Sequence, residues 1–220
     1  MPLFNFIFMK RFYYAFVFTL ITMTVFAQYK YRDSNRIGIS IGINQFTLNT
    51  NNFQTKPATG WNAGLSMRGN FYDDWDMVYG MQFSENNFSV TTNSGFITEN
   101  TNYKLASAQI SLMLSYKIFE NHLSLEFGPL VQINGKLKVD KNQENNIISG
   151  TTLLAKDIVD ISKFNFYPTI GITTGFRHVR LNISYQYGIN NMLGNLNSKN
   201  LGVNFKGNPG ILNGNLILYL

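Results

Sequence analysis

Glu126 stands where a carboxylate is costly. It lies in Leu123-Ser124-Leu125-Glu126-Phe127-Gly128, between two apolar neighbours. If that position is buried, the charge needs a partner. Three cations occupy comparable places in other alternating segments: Arg68 after Met67, Lys117 after Tyr116, and Arg177 after Phe176. Gln82, Gln109, Gln132 and Gln186 share the same setting. The chemistry open to these eight residues is ion pairing and amide hydrogen bonding. Such a set either satisfies a polar interior or forms a gate whose pairs rearrange. Catalysis finds less material. His122 and His178 fall in short connecting segments, away from any Ser or Asp placed as a nucleophile–base set. Asp73-Asp74-Trp75-Asp76 lacks the spacing of a calcium loop and reads as a solvated turn. The chain has no Cys, which excludes disulfides, thiolate metal sites and cysteine nucleophiles. No catalytic residue, metal site or cofactor is therefore expected, and the chain does not read as an enzyme.

The elements that carry these residues alternate with period two. In Ile37-Gly38-Ile39-Ser40-Ile41-Gly42-Ile43-Asn44, isoleucine takes every odd position and small or polar residues the even ones. That is a strand with one apolar face. Seven more segments read the same way: Trp61–Tyr72, Met77–Ser84, Leu105–Ile118, Leu123–Ile133, Tyr167–Arg177, Leu181–Ile189 and Ile211–Leu220. Pro129 lies on the apolar face of its strand and suggests a bulge. Short connections (Tyr72–Asp76, Phe119–His122, His178–Val179) alternate with long polar ones (Leu48–Gly60, Asn86–Lys104, Gly135–Phe166, Asn191–Gly210). Strict alternation is expected when short turns lie on one side of a membrane and long loops on the other.

Composition and charge narrow the setting. The chain has 220 residues, enough for one domain of moderate size. Charged residues are only 14%, against about 25% in an ordinary soluble domain. The net charge of +6 is spread thinly, without a Lys/Arg run, so nucleic acid is not an expected partner. Lys10-Arg11 precede the apolar run Phe12–Phe26, which ends at Ala27-Gln28. This pattern predicts a signal peptide over 1–27 and a mature domain over 28–220. Translation starts at Met1 or at Met9, the latter giving the ordinary Met-Lys-Arg opening.

Periodicity does not say which face points inward. The polar face is dominated by Gly, Ser, Thr, Asn and Gln, with few charges. A soluble exterior would carry more Lys and Glu, whereas a small barrel's interior suits small residues mixed with a few long polar ones. Phe71, Tyr72, Trp75, Tyr79, Tyr116, Phe119 and Tyr219 gather at the short-turn end, as at a membrane interface. The predicted fold is all-β: an eight-stranded antiparallel up-and-down transmembrane β-barrel, with long loops extracellular and termini periplasmic. Leu153, Leu154, Ile158, Val159 and Ile161 make their loop too apolar to be free, and are the expected partner-binding face.

The chain resembles outer-membrane β-barrel proteins of the PorT-like and OmpA-like transmembrane-domain type, common in Bacteroidota. The resemblance covers the whole chain. It rests on the Ala27-Gln28 junction, the eight amphipathic strands, and the segments Leu125-Glu126-Phe127-Gly128-Pro129 and Tyr167-Pro168-Thr169-Ile170-Gly171. It implies an integral protein of the cell outer membrane, surrounded by lipid. One branch implies a role in protein secretion to the surface, with other envelope or secretion proteins as partners. The function expected is structural or partner-binding. A narrow gated pore, a lipid-active outer-membrane enzyme and a soluble secreted ligand-binding barrel are the alternatives.

Overall fold

The computed structural model describes residues 35–220, apart from 96, 121, 200 and 201. The expected leader over 1–27 and both candidate start sites lie outside these residues. The strands are β1 (Arg36–Thr50), β2 (Thr55–Tyr72), β3 (Trp75–Ser94), β4 (Ile97–Phe119), β5 (Leu123–Val139), the two-residue β6 (Ile147–Ile148), β7 (Phe164–Gly175), β8 (Val179–Tyr187) and β9 (Gly207–Tyr219). All but β6 pair antiparallel with both neighbours, and β1 pairs with β9, so eight strands close into a ring. Closure leaves the ring no free edge, the condition for a sheet in lipid.

The isoleucine face of β1 points outward. Ile37, Ile39, Ile41 and Ile43 are 54–65% exposed, while Ser40 and Asn44 are 1–2% exposed and face the lumen. The other strands agree: Leu112, Phe127, Ile172 and Ile183 are exposed, and Gln109, Glu126, Thr173 and Asn182 are buried. Such a surface cannot face water, so the soluble alternative fails. From Val179 to Ile189 the outward apolar row runs ten residue steps, about 25 Å of height at a tilt of ~40°.

Small residues let the walls approach. A Cβ on Gly42 would meet Asn215 Oδ1 and the Gly214 carbonyl. The β3–β4 hairpin turns at Gly95, whose φ of 61° is left-handed.

Three expectations change. The long polar connection at Asn86–Lys104 is no loop: β3 and β4 pair continuously from Trp75↔Tyr116 to Ser94↔Ile97. Leu48–Gly60 is likewise mostly strand, with only 51–54 between β1 and β2. Pro129 causes no bulge. It lies opposite Pro168 in unbroken β5–β7 register; on the β4 side the pairing lapses between Ser111↔Leu130 and Leu114↔Phe127 without a register shift, as a missing N–H requires. The β4–β5 irregularities fall at Leu105/Ser107 and Lys117/Phe119.

Candidate functional site

The lumen is filled in two layers of opposite character. Near the short turns it is charged. Arg68 on β2 reaches across to Glu126 on β5 and to Asp76 at 3.0 Å. It also donates to Ser115 Oγ at 2.8 Å. Glu126 Oε2 accepts from Asn182 Nδ2 at 3.1 Å, and Asn182 donates to Thr173 at 2.9 Å. Lys117 Nζ lies 3.5 Å from Asp76 Oδ1. Arg36 donates to the Arg177 carbonyl at 3.0 Å. Tyr219 turns its hydroxyl inward to Ser66, 2.8 Å away.

One level higher, amides take over. Gln109 donates to Gln132 at 2.7 Å and to Gln186 at 3.3 Å; Gln132 donates to Asn134, and Asn134 to Asn165, both at 2.6 Å. Gln82 donates to Ser40 at 3.3 Å. A cavity of about 60 Å³ remains between these groups, bounded by Ser40, Gln82, Glu126, Asn182 and Gln186. That suits a few water molecules and is far below the ~300 Å³ of a small ligand pocket.

The end bearing the longer connections is closed by an apolar cap. Phe88 stacks on Tyr103 with centroids 5.2 Å apart, and Phe46 lies 5.5 Å from Phe88. Leu48, Val90, Leu105 and Leu137 complete the wall, and Ile148, Ile158, Met192, Leu193 and Leu196 fold in from the connecting segments. Tyr103 donates to the Ala155 carbonyl at 2.9 Å. Burial, with the Asp157 charge second, holds its hydroxyl well above the ordinary tyrosine range.

Seven of the eight polar residues singled out in the sequence line the lumen. Arg177 does not. The φ of 140° at Gly175 ends β7, and Arg177 sits exposed in the following turn. Its place is taken by Arg180 and Arg36, both buried, and Asp76 adds a second carboxylate. All three keep the inward parity of their strands. They escape sequence reading because the apolar alternation becomes visible only from Ile37, Met77 and Leu181 onward. Tyr219 likewise leaves the interfacial aromatic group for the interior.

The apolar loop residues are corrected too. Leu153, Ile158 and Ile161 are 8%, 0% and 6% exposed, packed into the cap rather than offered to a partner. Leu154 and Val159 are half-buried beside them. An apolar segment tethered above an open lumen finds that opening first.

An outward apolar band around a polar lumen defines a membrane-spanning β-barrel. The comparisons agree: residues 26–194 match the family described as outer membrane protein beta-barrel domain, and the chain belongs to that family. It is a protein of the outer membrane, with lipid around its wall. Among solved structures, Ail of Yersinia pestis, crystallised with the heparin analogue sucrose octasulfate, has a TM-score of 0.51 and 14% identity over 86% of this chain and 100% of that one. Neisserial surface protein A has a TM-score of 0.48 and 12% identity over 84% and 99%. OprG of Pseudomonas aeruginosa has 0.42 and 10% over 84% and 94%. At these identities the likeness to Ail is one of fold. No curated protein matches the chain.

Proposed function

We propose that this protein is a closed, non-catalytic barrel with a structural or partner-binding role, its short turns and both strand termini periplasmic and its longer connections outside. The observation that carries this reading is the doubly filled lumen: a charged layer bridged by Arg68–Glu126 and, above it, an apolar cap. Each layer alone opposes ion passage, the first by fixed pairs and the second by excluding water. Both histidines lie in short turns, each with Nδ1 donating to a backbone carbonyl, His122 to Glu120 at 2.7 Å and His178 to Tyr219 at 3.2 Å.

In this reading the partner surface is the projecting β3–β4 hairpin, polar outside at Thr98, Asn100 and Asn102. In its finer form the reading makes the protein a subunit of a surface-secretion or envelope complex of the PorT-like type. The Leu125–Pro129 and Tyr167–Gly171 segments support it. Planar-bilayer recording tests closure: no sustained single-channel steps are expected, and steady openings would overturn it. Photocrosslinking from position 100 in whole cells tests the partner role, with discrete envelope-protein adducts expected and bare lipid contact the contrary result.

A further inference from the structure

The outer wall of β4, β5 and β7 carries two features that the lumen does not use. One is a trough in the lipid-facing surface. Pro129 and Pro168 are direct cross-strand partners, and their flat rings form its floor. Phe127 and Phe166, 42% and 50% exposed, stand on either side. With Ile189 they bound a groove of about 510 Å³ with almost wholly apolar walls. The other is a group of lysines just above the apolar band. Lys104 and Lys138 are direct partners across β4 and β5, both exposed on the outer face. Lys136 lies in the bulge beside them, and Lys163, also exposed, is tied to β5 by Asn134 N–H donating to its carbonyl at 2.8 Å.

Among the described residues these four lysines form no ion pair. Asp140, just past the end of β5, is followed by Lys141, so that stretch adds no net negative charge. Like charges directly opposite on a sheet repel, and an anion bridging them would remove the cost. On β5 Lys138 stands nine residues beyond Pro129, roughly 25–30 Å along the strand, and Lys163 falls between these levels, three residues before Phe166. Anion and apolar subsites therefore lie in line, one at the edge of the hydrocarbon and one within it.

We propose that this wall binds a phosphorylated, acylated lipid of the outer leaflet. An acyl chain lies in the Pro129–Pro168 trough, and a phosphate bridges Lys104 and Lys138 with Lys136 and Lys163 flanking it. Ammonium groups suit phosphate as point charges, and a trough at hydrocarbon depth selects a lipid over a soluble anion. The leaflet assignment rests on the outward placement of the longer connections proposed above.

The test is native mass spectrometry of the full chain in detergent. Its probes are diphosphorylated lipid A, the same lipid dephosphorylated, and inorganic pyrophosphate. The variants are Lys104→Gln/Lys136→Gln/Lys138→Gln/Lys163→Gln together, and Pro168→Phe to fill the trough, each checked for folding by heat-dependent gel mobility. Wild type is expected to bind diphosphorylated lipid A at least ten-fold more tightly than the quadruple variant does, and more tightly than it binds the dephosphorylated lipid. Pro168→Phe is expected to weaken binding several-fold with the lysines intact. Equal binding by the folded quadruple variant overturns the site, as does complete displacement by pyrophosphate. In cells, an impermeant maleimide is expected to label Asn93→Cys and not Asp74→Cys. Labelling at Asp74→Cys alone overturns the leaflet while leaving the in-vitro lysine result standing.

Discussion

Along β1 the outward side chains run Ile37, Ile39, Ile41, Ile43 and then Gln45, Thr47, Asn49, while the inward ones run Ser40, Asn44 and then Phe46, Leu48. The pleat is unbroken, yet polarity changes sides between residues 43 and 46. β3 does the same: Met81 and Phe83 face out beside inward Gln82 and Ser84, and higher up Phe88 and Val90 face in beside outward Asn87 and Thr91. β4 follows, with Ile110 and Leu112 outward below and Tyr103 and Leu105 inward above. The lower region is surrounded by hydrocarbon and stores its polar groups inside. The upper region is surrounded by water and keeps an ordinary core. Solvent, not strand geometry, decides which face is apolar.

Different forces then hold the two regions, and mutations can separate them. The largest effect is expected from Glu126→Leu, which leaves Arg68 with only Asp76 as counter-ion. A broken buried pair costs on the order of 3–5 kcal/mol, read as a lower urea midpoint in lipid vesicles. Adding Arg68→Met should restore part of that loss, since the under-paired guanidinium is then gone and Asp76 keeps Lys117 at 3.5 Å as its partner. In the upper region Phe88→Ala should cost about 3 kcal/mol through the cavity it leaves. It should also speed proteolysis within 140–163, which the Glu126 variant should not. Tyr219→Phe removes one hydrogen bond to Ser66 and should cost about 1 kcal/mol, with no change in proteolysis. If Phe88→Ala and Glu126→Leu opened the same segment, the two layers would be one.

The same inversion explains what could be read from the sequence. The lower half was legible because alternation there has one phase, so eight strands, their order and seven lumen residues followed from parity. At the switch the phase changes and polar residues fall together, as in Ser84-Glu85-Asn86-Asn87. Such a run imitates a loop and hides the upper halves of β3 and β4. Burial of Leu153, Ile158 and Ile161 was not legible either. Sequence shows that a segment is apolar, but not that an open lumen lies within its reach. Arg36 and Arg180 lay one residue beyond strand boundaries, where pattern reading is weakest.

The inversion itself can be measured residue by residue. The chain has no Cys, so single cysteines at Ile39, Ile41, Ile43, Gln45, Thr47 and Asn49 can each carry a spin label in reconstituted bilayers. Collisions with dissolved oxygen report lipid, and those with a water-soluble nickel complex report solvent. Oxygen should dominate at Ile39, Ile41 and Ile43, and the nickel complex at Thr47 and Asn49, with the crossover at Gln45. Nickel access at Ile39 and Ile41, or oxygen dominance persisting through Asn49, would contradict the account.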